Sequence, residues 1–458
     1  MEHVIIGNSA AAIGAIESIR KVDQNSSLTV VSNENEHVYS RPLIAHYLAG
    51  DVTEDRMPYR PEDFYRKNRV TTHLGTRVTE VDPIAEKLCF EDGSTLKYDR
   101  LLISTGSKVS LPPLPGCEDF EGINIFQSYN DAKRVLNRLE KGRKAVVIGA
   151  GLIGLRAAYG LQAAGADVTL IELLPRIASR ILDKKGSRLV QKILENGGIK
   201  VFTGCSVKEI IGTKSDGVTG VILGNDEKID SNVVIMSTGV TPNTTLAENT
   251  PLEVNLGLVV NRYFQTSFSN IFAAGDVAET FDIPRGAGMV NANWPNAYEQ
   301  GRYAGLCMTG EMKKYPGSVG MNSVSFYKMP VISMGLFDPE TEGVEGTEIK
   351  IRENLKNNIY QKLIFKNNIL KGAILIGDIG YAGTINDLIR AQVLVGVIKD
   401  SILEEKYQLY NFLRKKRRDK VEGTAIQWPE THSSTSRYEK SFNEETWTER
   451  EQDKRIWR

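Results

Sequence analysis

Three glycines in the stretch KAVVIGAGLIGLRAAYG have the spacing that binds a pyrophosphate. Gly149, Gly151 and Gly154 follow an apolar run that predicts a buried strand, and a helical pattern follows them. In this arrangement the first glycine permits a tight turn, the second lets a pyrophosphate approach the backbone, and the third lets the helix pack closely on the strand. The phosphates would meet the helix N-terminus, whose dipole favours negative charge. We therefore expect a dinucleotide site at this turn, with Ile153 among its residues.

A carboxylate at the end of the next strand bears on which dinucleotide binds there. The run DVTLI predicts that strand, and Glu172 follows it directly. An acidic residue at this place accepts a hydrogen bond from the ribose 2′-hydroxyl and repels a 2′-phosphate. The pattern favours NAD(H) over NADP(H), although Arg176 is close enough in the chain to weaken that preference. The alternative is an ordinary βαβ packing unit that binds nothing.

A second turn, near the start of the chain, has small residues in a related pattern. The stretch HVIIGNSAAAIGAIESIR predicts a strand, a turn and a helix. Gly7 would make the tight turn, and Ser9 and Ala12 are small enough for close backbone approach. This pattern alone does not distinguish a dinucleotide site from a packing unit.

Three further segments each predict a strand that ends in a polar turn. They are YDRLLISTGS, VVIMSTGVTPN and SNIFAAGDVAE, and their turns contain Thr105 and Gly106, Thr238 and Gly239, and Gly275 and Asp276. The carboxylate of Asp276 can accept hydrogen bonds from the ribityl hydroxyls of a flavin, and Gly275 keeps the backbone close. Plain strand-end turns are the alternative. Because the five elements follow one another in order, we predict one flavin and one nicotinamide dinucleotide in the same chain.

Taken together, these segments resemble the FAD- and NAD(P)-dependent pyridine nucleotide-disulfide oxidoreductases, and among them the rubredoxin reductase and nitrite reductase large-subunit branch. The resemblance is carried by VIIGNSAAA, YSRPLIAHYLAG, YDRLLISTGS, VVIGAGLIGL, STGVTPN and NIFAAGDVAE. It implies an α/β fold with two Rossmann-like dinucleotide-binding domains, a smaller α+β C-terminal interface domain and an extended tail. The implied domains are a discontinuous FAD-binding domain (1–115 and 245–320), an NAD-binding domain (116–244), an interface domain (321–404) and a polar tail (405–458).

The predicted interface domain contains a hairpin and a helix. The run YQKLIFKNNILKGAILIG predicts two strands joined by a turn at Asn367 and Asn368, a pair that tolerates positive φ. The run TINDLIRAQVLVGVI that follows predicts a helix. In relatives this domain forms an interface, so the resemblance implies a homo-oligomer or a subunit of a larger complex.

The sequence departs from the family pattern in the stretch VYSRPLIAHYLAG, where relatives often have a redox cysteine. Pro42 takes the position of that cysteine, and Arg41 beside it is a candidate for stabilising negative charge on a reduced flavin. A solvated surface arginine is the alternative. The run WPNAYEQG predicts a helix that begins at Trp294 and Pro295, and in relatives its N-terminus points at the flavin. Ordinary helix packing is the alternative there.

Two other departures concern the dinucleotides directly. Ser32 occupies the place that usually holds the ribose-binding acid of the FAD site, and Glu34 is the substitute we predict. Arg156 stands where many relatives have a glutamate near the nicotinamide, so it could pair with a phosphate or with a partner instead.

Without a thiol relay, the resemblance implies an FAD-dependent NADH oxidoreductase whose electrons leave through an external carrier. That carrier would be a rubredoxin, a ferredoxin or an iron–sulfur subunit, and the direction of flow is open. Two alternatives remain. One is an NADH oxidase that reduces oxygen directly, and the other is a flavin-binding scaffold subunit of a larger complex.

Composition excludes several other classes of protein. Lys plus Arg and Asp plus Glu both number 57 in 458 residues, and this zero net charge argues against a nucleic-acid partner. The four cysteines form no CxxC pair, so we predict no metal site and a reducing cytoplasm. We expect neither a signal peptide nor a membrane span. The tail combines the basic run RKKRRDK with three tryptophans, which predicts either a solvated segment or one that wraps a partner subunit.

Overall fold

The computed structural model describes residues 1–396, 398–399 and 402–403. Its strands are β1 (Glu2–Ile6), β2 (Ser27–Ser32), β3 (Thr71–Leu74), β4 (Val78–Asp82), β5 (Lys87–Phe90), β6 (Thr95–Lys97), β7 (Arg100–Ile103), β8 (Ser107–Val109), β9 (Ile123–Ile125), β10 (Lys144–Ile148), β11 (Asp167–Glu172), β12 (Lys200–Thr203), β13 (Val207–Thr213), β14 (Gly217–Leu223), β15 (Lys228–Asp230), β16 (Val233–Met236), β17 (Val240–Pro242), β18 (Leu258–Val259), β19 (Ile271–Ala273), β20 (Ala278–Asp282), β21 (Ala287–Met289), β22 (Met321–Phe326), β23 (Met329–Gly335), β24 (Thr347–Asn354), β25 (Ile359–Lys366) and β26 (Ile369–Ile376). Its helices are α1 (Ala10–Val22), α2 (Ile44–Leu48), α3 (Phe64–Lys67), α4 (Tyr129–Leu139), α5 (Leu152–Ala163), α6 (Lys184–Asn196), α7 (Trp294–Met308) and α8 (Ala382–Ala391).

Two parallel sheets position the predicted dinucleotide turns. The first has the order β19-β7-β1-β2-β3 and the second the order β12-β11-β10-β16-β9. Their inner strands are almost entirely apolar and buried, as expected for sheets that are covered on both faces. These sheets confirm the predicted α/β fold with two Rossmann-like units. Strand β19 belongs to the first sheet, although it follows every strand of the second sheet in the chain. A discontinuous FAD-binding domain requires this order, and the boundaries of that domain stay a prediction.

Helices α1 and α7 pack closely because glycines lie at their contact. A Cβ atom on Gly14 would overlap the carbonyl oxygen of Tyr298, and one on Gly301 would overlap that of Ala11. Such contacts leave no room for even a methyl group, so neither helix can shift without losing them. The packing therefore fixes the beginning of α7 beside the glycine turn that precedes α1.

The C-terminal unit is an antiparallel sheet, β22-β23-β26-β25-β24, with α8 packed against it. Asn367 and Asn368 join β25 to β26 with φ of 52° and 59°, which confirms the predicted turn. The predicted helix is wrong in its second half, because α8 ends at Ala391 and Gln392 turns left-handed with φ of 50°. The amide of Val395 then donates to the carbonyl of Asn368, so pairing with the hairpin takes the place of helical bonds.

A buried ion pair joins the C-terminal sheet to α6. Nζ of Lys362 donates to Oδ2 of Asp183 at 2.8 Å, and the side chains are only 5% and 11% exposed. The hydroxyl of Tyr360 and the amide of Gly186 also donate to this carboxylate. Burial would raise the pKa of Asp183, but these three donors together lower it. The lowered pKa favours the ionised carboxylate of Asp183 inside the protein.

Lys362→Met is expected to lower the free energy of unfolding by about 3–5 kcal/mol, because it leaves the Asp183 carboxylate buried without its cation. Lys185→Met is the matched control, since Lys185 pairs with Glu353 across the same interface but is 56% exposed. Its loss should cost less than about 1 kcal/mol. Urea unfolding of both variants checks the difference, and equal costs would contradict a special role for the buried pair.

Two expectations concern the surroundings of the chain. The tail, 405–458, and its suggested wrapping of a partner subunit lie outside the described residues. Within residues 1–396, 398–399 and 402–403, no helix combines the length and the apolar character that crossing a membrane requires.

Candidate functional site

The turn between β10 and α5 has the shape that a pyrophosphate needs. Gly149 has φ of +100°, and a Cβ atom there would overlap the carbonyl oxygen of Ser237. Gly154 lies so close to the carbonyl oxygen of Gly149 that it too has no room for a side chain. Gly151 begins the helix with φ of −70° and has no atom within 4 Å of its Cβ position. The open space above Gly151 and the N-terminus of α5 fit a dinucleotide phosphate.

Glu172 is held at the edge of this turn by backbone amides. Its Oε2 accepts from the amide of Ala150 at 2.6 Å, and its Oε1 accepts from the amide of Leu174 at 2.8 Å. A carboxylate fixed in this way is oriented before any ribose arrives. Ile153 packs against the core below α5.

The second strand-end turn, Thr238 and Gly239, adjoins the glycine turn through the close contact of Ser237 with Gly149. The hydroxyl of Thr238 donates to the carbonyl of Ser110, and Gly239 has φ of +118° with open space beside it. The predicted NAD residues of these turns thus lie together at the carboxyl ends of β10, β11 and β16, around one cleft, whereas Ile153 packs against the core.

The turn between β1 and α1 repeats this arrangement for the first sheet. Gly7 has φ of +108°, and a Cβ atom there would overlap the carbonyl oxygen of Ser104. Ser9 has φ of −136°, an extended conformation that any residue adopts, so serine in place of glycine does not strain the turn. Its hydroxyl makes no capping bond in α1, and Ala12 is fully buried below it. The turn fits the pyrophosphate of FAD.

The acid after β2 is part of a polar network. Oε2 of Glu34 accepts from the hydroxyl of Tyr39 at 2.6 Å, and its Oε1 accepts from Nη2 of Arg41. Ser32 is used locally, because its Oγ accepts from the amide of Glu34 at 3.1 Å. Arg41 also donates to the carbonyl of Gln127 at 2.8 Å, so it is not the solvated surface arginine of the alternative.

Asp276 faces this network from the end of β19. Burial raises the pKa of Asp276, although Arg41 and the hydroxyl of Ser107 both oppose the shift. Burial also disfavours the charge of Arg41, but Tyr39, Glu34 and then Asp276 raise its pKa overall. The cleft therefore places the cation of Arg41 beside a buried carboxylate, an arrangement that marks functional sites.

Hydrogen bonds also hold the turns that follow β19 and β7. The amide of Gly275, which has φ of +84°, donates to Oε1 of Gln300 on α7 at 2.8 Å. The hydroxyl of Thr105 donates to the carbonyl of Asn243 at 2.8 Å, and Gly106, with φ of +70°, has open space beside it. Since β7 and β19 pair in parallel, both turns lie at the same edge of the first sheet, where they form the second cleft.

Helix α7 begins at Trp294, as predicted, with Pro295 in its first turn. The side chain of Asn293 accepts from the amide of Asn296 at 2.9 Å and caps the helix. The ring of Trp294 meets that of Tyr59 edge-on at 5.0 Å. The sequence analysis did not identify Asn293 or Tyr59. An asparagine directly before Trp-Pro is a capping signal that could have identified Asn293.

The two clefts are joined by a contact that no sequence pattern indicated. Arg156, on α5, donates from Nη2 to the carbonyl of Pro42, and burial lowers the pKa of this arginine. Nearby, a Cβ atom on Gly160 would lie 2.9 Å from the carbonyl oxygen of Ala45. The helix of the NAD turn thus packs directly on the segment that carries Arg41 and Pro42.

Comparison with known proteins identifies the family. The pyridine nucleotide-disulphide oxidoreductase family model matches residues 1–301, and that of the rubredoxin NAD+ reductase C-terminal domain matches residues 321–393. The nitrite reductase [NAD(P)H] of Bacillus subtilis is 33% identical over 82% of this chain but only 45% of its own length, so the chain spans less than half of that relative. The rubredoxin-NAD(+) reductase of Pseudomonas putida is 30% identical over 61% of this chain and 72% of its own length.

Solved structures agree with this result. An NAD-dependent persulfide reductase from A. fulgidus superimposes with a TM-score of 0.81 at 26% identity, over 91% of this chain and 84% of its own. The family is FAD- and NAD(H)-dependent, and both glycine turns of this structure fit a dinucleotide. The chain belongs to the pyridine nucleotide-disulphide oxidoreductase family.

Proposed function

We propose that this enzyme passes electrons between NAD(H) and an external iron-bearing carrier or partner subunit, through FAD and without a thiol relay. The observation that supports it best is the contact of Arg156 with the carbonyl of Pro42, because it joins the two dinucleotide clefts at the position where a redox cysteine would lie. The carrier would be a rubredoxin, a ferredoxin or another iron–sulfur protein.

Each cleft has residues for one dinucleotide. FAD would be held by Gly7, Ser9, Ala12, Glu34, Arg41, Pro42, Thr105, Gly106, Gly275, Asp276, Trp294 and Pro295. NAD(H) would be held by Gly149, Gly151, Ile153, Gly154, Glu172, Thr238 and Gly239. Bound FAD supplies the conversion between hydride transfer and single-electron transfer.

The side chains have separate tasks in this proposal. Asp276 accepts hydrogen bonds from hydroxyl groups, and Arg41 keeps its positive charge at every physiological pH and stabilises negative charge in the cleft. Glu172 binds the ribose of NAD(H). The packing of α5 on α2 excludes water between the clefts, since glycine and apolar side chains fill this contact.

Several features support an external acceptor. None of the four cysteines lies in the segment 38–50, and all four are free. The C-terminal unit matches a domain named for rubredoxin reductases, and a relative carries the same name. We propose the C-terminal unit, 321–404, as the interface for a second copy or a partner subunit, and the cytoplasm as the location, where free thiols persist.

Anaerobic titration of the FAD-loaded protein with NADH, followed by the flavin spectrum, tests the proposal. We expect one equivalent of NADH to bleach one FAD, and rubredoxin or ferredoxin to be reduced afterwards. A second equivalent would mean a second redox centre and would contradict the thiol-free route. In a separate aerobic assay, rapid NADH consumption that needs only oxygen would indicate an oxidase. Absence of bleaching in the anaerobic titration would indicate a flavin-binding scaffold.

A further inference from the structure

The loop after Glu172 contains a cation that would suit NADPH. Dinucleotide enzymes that bind NADPH use an arginine near this position for the 2′-phosphate. Arg176 lies four residues after Glu172, but its Nη2 donates to Oδ2 of Asp338 at 3.0 Å. We propose that Asp338, in the turn after β23, is a specificity-determining residue that excludes NADPH by holding Arg176 in an ion pair. This inference relies on the proposed nucleotide site at Glu172.

The position of Asp338 is fixed by its own turn. The hydroxyl of Thr341 donates to Oδ2 of Asp338 at 2.8 Å. The backbone amide of Asp338 donates to Oε1 of Glu342 at 3.0 Å. The side chains of Arg176 and Asp338 are 24% and 14% exposed, so solvent screens this pair less than a surface pair. A second unit of the fold therefore supplies the counter-ion for a residue of the nucleotide loop.

Arg176 is not fully satisfied in this position. Its Nε is buried and has no hydrogen-bond partner, which leaves one of its donors unused. A buried donor without a partner is costly, so a released guanidinium would gain from a second anion. The ion pair with Asp338 opposes that change, together with a longer bond of 3.5 Å from Nη2 to the carbonyl of Ser179.

The surroundings would otherwise attract a phosphate. Arg176 lines a cavity of about 520 Å³ whose other charged residues are Lys184, Arg188, Lys192 and Glu195. Positive charge exceeds negative charge in this group and raises the local concentration of anions. Specificity is the difference between the affinities for NADH and for NADPH. Here Glu172 repels the 2′-phosphate of NADPH, and Asp338 keeps the cation of Arg176 away from that phosphate.

Calorimetry with 5′-AMP and 2′,5′-ADP, on the FAD-loaded full chain, measures the effect without turnover. Asp338→Asn is expected to raise the affinity for 2′,5′-ADP about tenfold, because a charge-assisted hydrogen bond becomes available, and to leave 5′-AMP unchanged. Adding Arg176→Gln should remove the gain. Glu340→Gln, which removes an exposed carboxylate from the same turn, should produce no gain.

The outcomes separate the role of Asp338 from the site itself. If Asp338→Asn binds 5′-AMP normally but gains no affinity for 2′,5′-ADP, only the role of Asp338 is overturned. If the unaltered protein does not bind 5′-AMP, the nucleotide site is overturned as well. If the variant does not fold, the unaltered protein still offers a result that can overturn the proposal. The proposal requires 2′,5′-ADP to bind no more tightly than 5′-AMP at low ionic strength, and tighter binding would overturn it.

Discussion

Gly151→Ala is expected to weaken NADH binding strongly and leave the fold intact, whereas Gly149→Ala should damage the fold itself. The two glycines are two residues apart in one turn, yet the structure gives them different tasks. Gly151 has φ of −70° and open space at its Cβ position. An alanine methyl group there meets no protein atom and would instead occupy the space through which the pyrophosphate approaches.

Gly149 has the opposite properties. Its φ of +100° is strained for any L side chain, and a Cβ atom would overlap the carbonyl oxygen of Ser237. Strain and overlap together should cost about 2–5 kcal/mol of unfolding free energy. Gly151→Ala should cost less than about 1 kcal/mol, as expected for a glycine at a helix N-cap.

Thermal unfolding and anaerobic NADH binding test this pair of variants. For Gly151→Ala we expect a melting temperature lowered by at most about 3 °C and NADH affinity lower by about tenfold to a hundredfold. For Gly149→Ala we expect a clear fall in melting temperature. NADH binding at normal affinity in Gly151→Ala would contradict the placement of the pyrophosphate at this turn, and FAD content serves as the control for the other site.

The elements around both glycine turns could be predicted because their signals are local. Within one short stretch, an apolar run predicts strand β10, the glycine spacing predicts the turn, and a helical pattern predicts α5. The structure has β10, α5 and β11 at these places. The same holds for the turn at Asn367 and Asn368, where two residues determine the conformation. The departure at Ser9 is harmless for a reason that the sequence does not contain, namely its extended φ.

Contacts between distant segments could not be predicted in this way. Arg156 meets Pro42 across 114 positions of the chain, and Arg176 meets Asp338 across 162. The end of α8 was missed for the same reason, since Val395 bonds to the hairpin instead of continuing a helix that its own sequence permits. These contacts depend on how the units of the fold pack against one another. A single sequence contains no periodic pattern from which that packing can be predicted.

Asp276→Ala is expected to produce protein that is largely free of FAD. The side chain lies at the end of β19, where it faces Arg41 and the hydroxyl of Ser107. Truncation removes the acceptor for hydroxyl groups and leaves Arg41 with Glu34 as its carboxylate partner. Each hydrogen bond to a charged group contributes about 1.5–3 kcal/mol, so the affinity for FAD should fall at least about tenfold.

Asp276→Asn is the informative companion to that variant, because it keeps the shape and one acceptor oxygen but removes the charge. If hydrogen bonding to hydroxyl groups dominates, Asn should retain most of the FAD that Ala loses. If the charge beside Arg41 dominates, both variants should lose FAD equally. Absorbance of bound flavin after gel filtration, with 5′-AMP binding as the control for the other cleft, distinguishes these results. Full FAD content in Asp276→Ala would contradict the placement of the flavin against β19.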